Sequence, residues 1–255
     1  MHQFKEKDFV PRVTVLYHGG EPLLNKSLPE MIAILKALGV KKTVITTNTS
    51  LLTADMSRKL TEAGLDEMKA SFDGRSPEES DRIRKNGNFD RDSENLLYYL
   101  KINQKTHVKI ANVQICTEEK IHRYLDGENL DAPEYLRKKF SKFENVSFVT
   151  VPARIWPSPE KYGVPYKTIN IPVKKPVRCP RLEETMTVLA NGDVVPCCDD
   201  ITGCAVLGNI MKEDIFSIRE NANTRRFFQA FKSQSDFPKI CQNCVILSQT
   251  FLVKE

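Results

Sequence analysis

Six of the seven cysteines fall in the last third of this 255-residue chain: Cys179, Cys197, Cys198, Cys204, Cys241 and Cys244. In a secreted protein this grouping would suggest disulfides, and in a cytosolic chain it suggests a metal or cluster site. Cys241-x-x-Cys244 is a chelating turn that places two thiolates on one metal. Cys179 and Cys197 bracket a segment that reads as a hairpin, so folding brings them together. Four thiolates suit tetrahedral zinc or an iron–sulfur cluster. A zinc ribbon more often shows two Cys-x-x-Cys knuckles, and here there is one. Cys198 and Cys204 are extra thiols, expected as a buried small side chain and a loop thiol, either able to substitute as a ligand. Cys116, at a strand end, is expected in the core.

A second set of candidate groups lies near the start, in "HGGEP" (His18 to Pro22). Gly19 and Gly20 lack Cβ atoms, so a ligand can approach the backbone closely. Glu21 can accept from an ammonium group, and Pro22 stiffens the turn. The same residues also make an ordinary strand-to-helix turn with a capping carboxylate. "TTN", ending at Asn48, and "SFDG", with Ser71 and Asp73, offer hydroxyls, an amide and a carboxylate. Such groups suit a ribose or an amino acid. Arg84 could bind a carboxylate; His18, Arg154 and Trp156 are weaker candidates. Tyr98-Tyr99 and "RRFF" (Arg225 to Phe228) read as helix packing.

These groups need elements to position them. Through residue 152 strand and helix alternate. Strands are expected at Val13–Tyr17, buried, and at Thr43–Asn48, in "MKASFDG", at His107–Cys116 and at Asn145–Pro152. Ser27 with Glu30, and Asp131 with Glu134, read as capping boxes; Thr53 caps a helix that Gly64 ends, and Gly39 stops another. Further helices are expected around Pro77–Asn86 and Ser93–Thr106. This alternation implies a parallel sheet with right-handed crossovers, whose ligands gather at the C-terminal strand ends. "HGGEP", "TNTS", "SFDG", "QICTEE" and "PARIW" all fall there. A proline-rich stretch, 153–178, reads as extended linker. Beyond it, Asn191-Gly192 marks a hairpin with a type I′ turn, and short helices are expected near Glu213–Ala222 and Thr224–Lys232.

Bulk properties narrow the classes. Net charge is +5 with 40% hydrophobic residues, ordinary for a globular protein. No cluster of five or six basic residues points to nucleic acid. No signal peptide or apolar span is seen, so a cytoplasmic protein with no membrane association is expected.

Taken together, these residues resemble the radical S-adenosylmethionine superfamily with a C-terminal SPASM or twitch module. "GGEP" is similar to that superfamily's motif for the methionine amino group. "TTN" and "SFDG" match strand ends that contact the nucleoside and methionine, and "RIRKNGNFD" followed by "ENLLYYL" is similar to the segment after them. The cysteine region, from "CPRL" through "VLANGDVVPCCDD" and "LGNI" to "CQNC", is similar to the twitch or SPASM pattern.

The resemblance implies an α/β fold: a partial (β/α) barrel over residues 1–152, a linker over 153–178 and a SPASM/twitch iron–sulfur module over 179–255. It implies S-adenosylmethionine contacts from Gly19, Gly20, Glu21, Pro22, Asn48, Ser71, Asp73 and Arg84. It implies one auxiliary [4Fe–4S] cluster on Cys179, Cys197, Cys241 and Cys244. The activity implied is adenosyl-radical hydrogen abstraction from a sugar or peptide substrate, with a flavodoxin or ferredoxin as electron donor. The sequence departs from the family in one respect: no cysteine precedes Cys116, so the Cys-x-x-x-Cys-x-x-Cys loop is absent. The expectation is therefore a barrel lacking its first βα unit, catalytically incomplete, with S-adenosylmethionine binding weakened or lost. The alternative is a non-catalytic iron–sulfur or zinc protein that transfers electrons or regulates a partner.

Overall fold

Runs of β-branched residues alternating with segments of helical period build a parallel sheet, as expected. The structure, a computed structural model, describes residues 2–84, 86–155, 167–172, 177–242, 244 and 248–254. It divides into two compact units. The first contains residues 2–115 and 119–152. In chain order its elements are α1 (His2–Glu6), β1 (Val13–Val15), α2 (Leu28–Ala37), β2 (Lys42–Thr47), α3 (Ala54–Ala63), β3 (Glu67–Ser71), α4 (Pro77–Ile83), α5 (Phe89–Ile102), β4 (His107–Gln114), α6 (Glu118–Leu125), α7 (Glu134–Phe140) and β5 (Val146–Pro152). The strands pair in parallel, in the order β1-β2-β3-β4-β5. Spatial order follows chain order, as successive βαβ units of one hand require.

Register separates two faces. Ile45, Met68, Val108 and Val146 form one row, and Thr47, Ala70, Ile110 and Phe148 the next. These rows pack into one core with Leu60 of α3, Leu96 and Leu100 of α5, and Phe140 of α7. Leu60, Leu96 and Leu100 are wholly buried, each worth roughly 1.5–3 kcal/mol. The opposite face carries the row Thr46, Lys69, Lys109, Ser147.

Local signals held in part. Thr53 Oγ1 accepts from Met56 N at 3.2 Å, and Gly64 closes α3 with φ 78°. Neither capping box forms. Ser27 has φ −85° and ψ 3°, outside the extended region a capping hydroxyl needs, and makes no cap bond. Pro133 occupies the N-cap of α7, leaving Asp131 two residues too far out. The first strand is shorter than expected and is not buried. β1 lies at the sheet edge, and Val13 and Val15 point away from the helices. The sequence signals did not mark α6.

The second unit contains residues 116–118 and 153–255. Its elements are β6 (Lys167–Pro172), α8 (Pro180–Glu184), β7 (Thr187–Val188), β8 (Asp193–Val195), β9 (Gly208–Asn209), α9 (Ile215–Glu220), α10 (Ala222–Ser233), α11 (Lys239–Gln242) and β10 (Ser248–Val253). The proline-rich stretch thus contains a strand, β6, which pairs antiparallel with β10. β7, β8 and β9 form a three-stranded antiparallel sheet. The hairpin is present but its turn is not type I′. Gly192 has φ 86° while Asn191 is not left-handed, and Gly192 N donates to Leu189 O at 2.9 Å. This is a type I turn followed by a left-handed glycine. Among the described residues no helix is long and apolar enough to cross a membrane.

Candidate functional site

The first unit collects its polar signals at one edge. His18–Pro22 follow β1, Asn48 follows β2, and Ser71 ends β3 with Asp73 just beyond. Arg84 sits at the C-cap of α4 and reaches back to Asp73, Nη2 to Oδ2 at 2.7 Å. In parallel sheets this edge is where ligands bind.

Glu21 is the most constrained member. Its Oε1 accepts from Leu23 N at 3.1 Å and Thr47 Oγ1 at 2.7 Å, and its Oε2 accepts from Asn48 N at 2.9 Å. It thereby caps the 3-10 turn Pro22–Leu24 and ties the β1 loop to the end of β2. A carboxylate has about four acceptor positions, so about one, on Oε2, remains for an ammonium donor. Thr47, which the sequence reading did not single out, completes this clamp. Its alternation with buried Ile45 was the available signal.

Gly19 has φ 68°, a conformation that disfavours a side chain. Gly20 differs: a Cβ placed there would meet no heavy atom within 4 Å. The fold does not require that glycine, and the space it leaves is open to a ligand. Asn48 uses its Oδ1 to hold Ser50 N (3.0 Å) and Ser50 Oγ (2.7 Å). Asn112 Nδ2 shapes the "SFDG" turn by donating to Phe72 O (2.6 Å) and Gly74 O (2.7 Å). Gly74 has φ 80°, and a Cβ there would lie 2.8 Å from Glu79 Cγ. Against this order, two buried nitrogens have no partner, His18 Nε2 and Arg84 Nε. Unpartnered polar nitrogens at this strand-end edge fit a polar ligand. Tyr135, whose hydroxyl donates to Asp73 O at 3.4 Å, is held protonated by burial and by Asp73 and Glu79.

The second unit brings its cysteines to an apolar centre. Cys179, Cys241 and Cys244 are buried with Leu182, Val194, Leu207, Ile218, Phe227 and Phe231. Cys197 follows β8 and is half-buried. Burial pushes the Cys241 thiol up to about 12, and the Cys244, Cys197 and Cys179 thiols and Asp199 push in the same direction. The four sulfurs therefore share one electrostatic neighbourhood. Burial likewise raises Cys197 to about 12, with Asp199 and Cys198 adding to it and Arg181 opposing. For the Cys197 and Cys241 thiols, raised by burial, a bound cation would make ionisation favourable. Among the described residues no three His, Cys, Asp or Glu side chains converge closely enough to hold a single ion. A four-iron cluster does not need such convergence, since each thiolate binds its own iron.

The extra cysteines are both exposed, which corrects the expectation of a buried Cys198. The Asp200 carboxylate accepts from Cys204 N and Ala205 N at 2.8 and 2.9 Å, which fixes that loop. Arg181 pairs with buried Asp199. Neither residue was singled out in the sequence, although "CPRL" and "CCDD" contain them. Cys116 is buried and bridges to Val253. Arg154 is exposed and bridges to Phe251, while Trp156 lies outside the described residues.

Residues 2–126 match the family profile of the Radical SAM superfamily, and residues 179–245 match SPASM, an iron–sulfur cluster-binding domain. The chain belongs to the radical S-adenosylmethionine superfamily and carries a SPASM domain. Its cofactors follow from these two domains: S-adenosylmethionine and iron–sulfur.

Among curated relatives, an Fe-coproporphyrin III synthase of Methanosarcina barkeri is 42% identical over 60 residues, 24% of this chain and 15% of the relative. A probable GTP 3',8-cyclase of Methanococcus maripaludis is 40% identical over 72 residues, 28% of this chain and 24% of the relative. The matches thus span less than a quarter of either relative's length. Among solved structures, anSMEcpe with bound AdoMet aligns with TM-score 0.57 at 16% identity, over 95% of this chain and 75% of that one. Streptococcus suis SuiB bound to its precursor peptide SuiA aligns with TM-score 0.56 at 13% identity, over 96% and 61%. At these identities the likeness concerns the fold, here the α/β arrangement of a partial (β/α) barrel with a C-terminal module.

Proposed function

We propose that the radical SAM domain binds S-adenosylmethionine at the C-terminal strand ends and that the SPASM domain holds one auxiliary [4Fe–4S] cluster. The observation that carries this reading is the pair of unpartnered buried nitrogens, His18 Nε2 and Arg84 Nε, at the strand-end edge that also holds the open Gly20. In this reading Gly19, Gly20 and Pro22 let the methionine backbone approach. Glu21 accepts from its amine through the free position on Oε2. Arg84 donates Nε to its carboxylate, held in place by Asp73, and Asn48 and Ser71 bind the ribose hydroxyls. Cys179, Cys197, Cys241 and Cys244 supply the auxiliary cluster's thiolates. The boundaries we assign are 1–152, 153–178 and 179–255.

In the superfamily, reductive cleavage of S-adenosylmethionine supplies an adenosyl radical that abstracts hydrogen from substrate. For this protein the substrate class is a sugar or a peptide, and the electron donor a flavodoxin or ferredoxin. The peptide option draws support from SuiB, whose structure holds a precursor peptide. These 255 residues contain no Cys-x-x-x-Cys-x-x-Cys run. By themselves they are expected to bind S-adenosylmethionine more weakly than a chain carrying that run, and not to cleave it.

The test is anaerobic reconstitution followed by iron and sulfide analysis, with equilibrium binding of S-adenosylmethionine. Iron near four per chain, lost on substitution of Cys241, together with binding weakened by Arg84→Ala, is the expected result. Zinc in place of iron, with no S-adenosylmethionine binding, would instead favour a structural metal protein. The single four-thiol set in the sequence is what keeps that second reading in play.

A further inference from the structure

The face of the parallel sheet opposite the helix core is mixed: valines such as Val44, Val113 and Val149 flank a polar row. Its central row runs across four strands: Thr46 on β2, Lys69 on β3, Lys109 on β4 and Ser147 on β5, each the register partner of the next. Partners in a parallel pair point to the same face, and adjacent strands lie about 4.8 Å apart. Two lysines are therefore neighbours in the middle of a sheet, an arrangement that like-charge repulsion disfavours.

The countercharge on this face is insufficient. Glu67, two residues before Lys69, is buried and pairs with Lys42 at 2.6 Å; Lys109 lies 3.9 Å from its other oxygen. Lys69 acts on Glu67 only through space, and among the described residues it has no ion-pair partner. Three ammonium groups thus face one carboxylate. His107 is occupied with Ser147, Nε2 to Oγ at 2.8 Å. Thr46 Oγ1, in the same row, is shielded from solvent and has no hydrogen-bond partner. An unpaired lysine, a weakly paired lysine and an orphaned hydroxyl lie side by side. Two residues further along β3 on the same face is Ser71, about 6.6 Å away at the usual rise per residue.

We propose that Lys69 and Lys109, with Thr46, bind an oxyanion of the substrate, a phosphate or a carboxylate. This rests on the reading that S-adenosylmethionine occupies the strand ends, because it places the anion one layer beneath Ser71. Two ammonium groups sharing one oxyanion form charge-assisted hydrogen bonds and relieve their mutual repulsion. The substrate is accordingly an acidic molecule, a phosphorylated or carboxylated sugar or a peptide presenting a carboxylate.

The test uses the full chain labelled with 13C at lysine ε-carbons, titrated separately with inorganic phosphate and with acetate. Two ε resonances, assigned by their loss in Lys69→Met and Lys109→Met, should shift together and saturate with one of these anions. Either substitution should weaken the anion's effect on the remaining lysine about tenfold. Thr46→Val should weaken it less, and Lys69→Arg should retain it, which keeps the test valid if a methionine variant misfolds. Response to phosphate alone points to a phosphorylated substrate, and response to acetate to a carboxylate. Shifts that never saturate with either anion, or that are unchanged by the substitutions, overturn the proposal. S-adenosylmethionine affinity measured on the same sample reports separately on the cofactor reading: its loss leaves the lysine response standing, and the reverse holds equally.

Discussion

Glu21→Gln separates the structural work of the "GGEP" carboxylate from its role toward a ligand. In the wild-type chain both oxygens are engaged, Oε1 by Leu23 N and Thr47 Oγ1 and Oε2 by Asn48 N. Glutamine keeps one acceptor oxygen. If that oxygen takes the Oε1 position, the amide N–H2 faces the Asn48 N–H, donor against donor. One charge-assisted bond, about 1.5–3 kcal/mol, is lost, and the other two become neutral and weaker. The expected destabilisation is about 2–3 kcal/mol, or roughly 5–10 °C in the melting temperature of a chain this size. Thermal unfolding of the full chain by circular dichroism measures it. A cycle with Thr47→Val should show coupling of about 1 kcal/mol, because the two side chains share a bond. A melting temperature within about 1 °C of wild type, or strictly additive effects in the cycle, would refute the clamp.

Gly20→Ala should leave the melting temperature unchanged, since the added methyl meets open space, yet weaken S-adenosylmethionine binding by about tenfold or more in calorimetry. Gly74→Ala should do the opposite, costing about 1–3 kcal/mol in denaturant unfolding because φ is 80° and the methyl would strike Glu79. Iron incorporation should fall as the reconstitution pH is lowered from about 8 to about 6, because the buried Cys197 and Cys241 thiols must ionise to bind. Cys241→Ser should abolish incorporation at every pH, as read by absorbance near the charge-transfer band and by iron assay. Asp66 gives a pH signature of folding. Burial pushes its carboxyl up, but the Lys36 ammonium and the Thr43 amide and hydroxyl outweigh this and hold it below the usual range. A depressed folded value means the stabilisation is full above the unfolded value, about 3.9, and is lost as pH falls through the folded one. Asp66→Asn should remove that acid-side loss in unfolding free energy measured from about pH 6 to about pH 2.5.

The elements were legible where local chemistry acts alone. Met68, Ala70 and Phe72 alternate inward as their spacing requires, and Thr53 and Gly64 bound α3 with the side chain and backbone expected of them. Signals that depend on backbone angles were read less well. Ser27 is a good capping residue by type, but Asn25 Oδ1 already holds the Ser27 N–H at 3.0 Å and turns the backbone out of capping range. Asn191-Gly192 reads as a two-residue turn, but the strands leave room for one residue more. Facts that need two strands at once were not legible. Val13 and Val15 look like core until β1 is seen to be an edge, and Lys69 and Lys109 are 40 positions apart in the chain until register makes them neighbours. The same holds for the site. The types at Gly19–Pro22, Asn48 and Asp73 were visible, whereas the Thr47 clamp and the Arg181–Asp199 pair arise only from the fold.

The pairing of β6 with β10 carries a consequence for the order of assembly. In the parallel sheet each strand docks on the one made just before it, so that unit can form progressively as the chain leaves the ribosome. β6 must wait, because its partner lies beyond the whole cysteine-bearing segment, with Ser248 opposite Pro172 and Val253 opposite Lys167. Cys179 follows β6 and Cys244 precedes β10, so this pairing draws together the two ends of the segment that bears the candidate cluster ligands. The loop it closes costs entropy that only a long-range contact can offset. Loading of the iron–sulfur site is therefore expected to follow the pairing of β6 with β10.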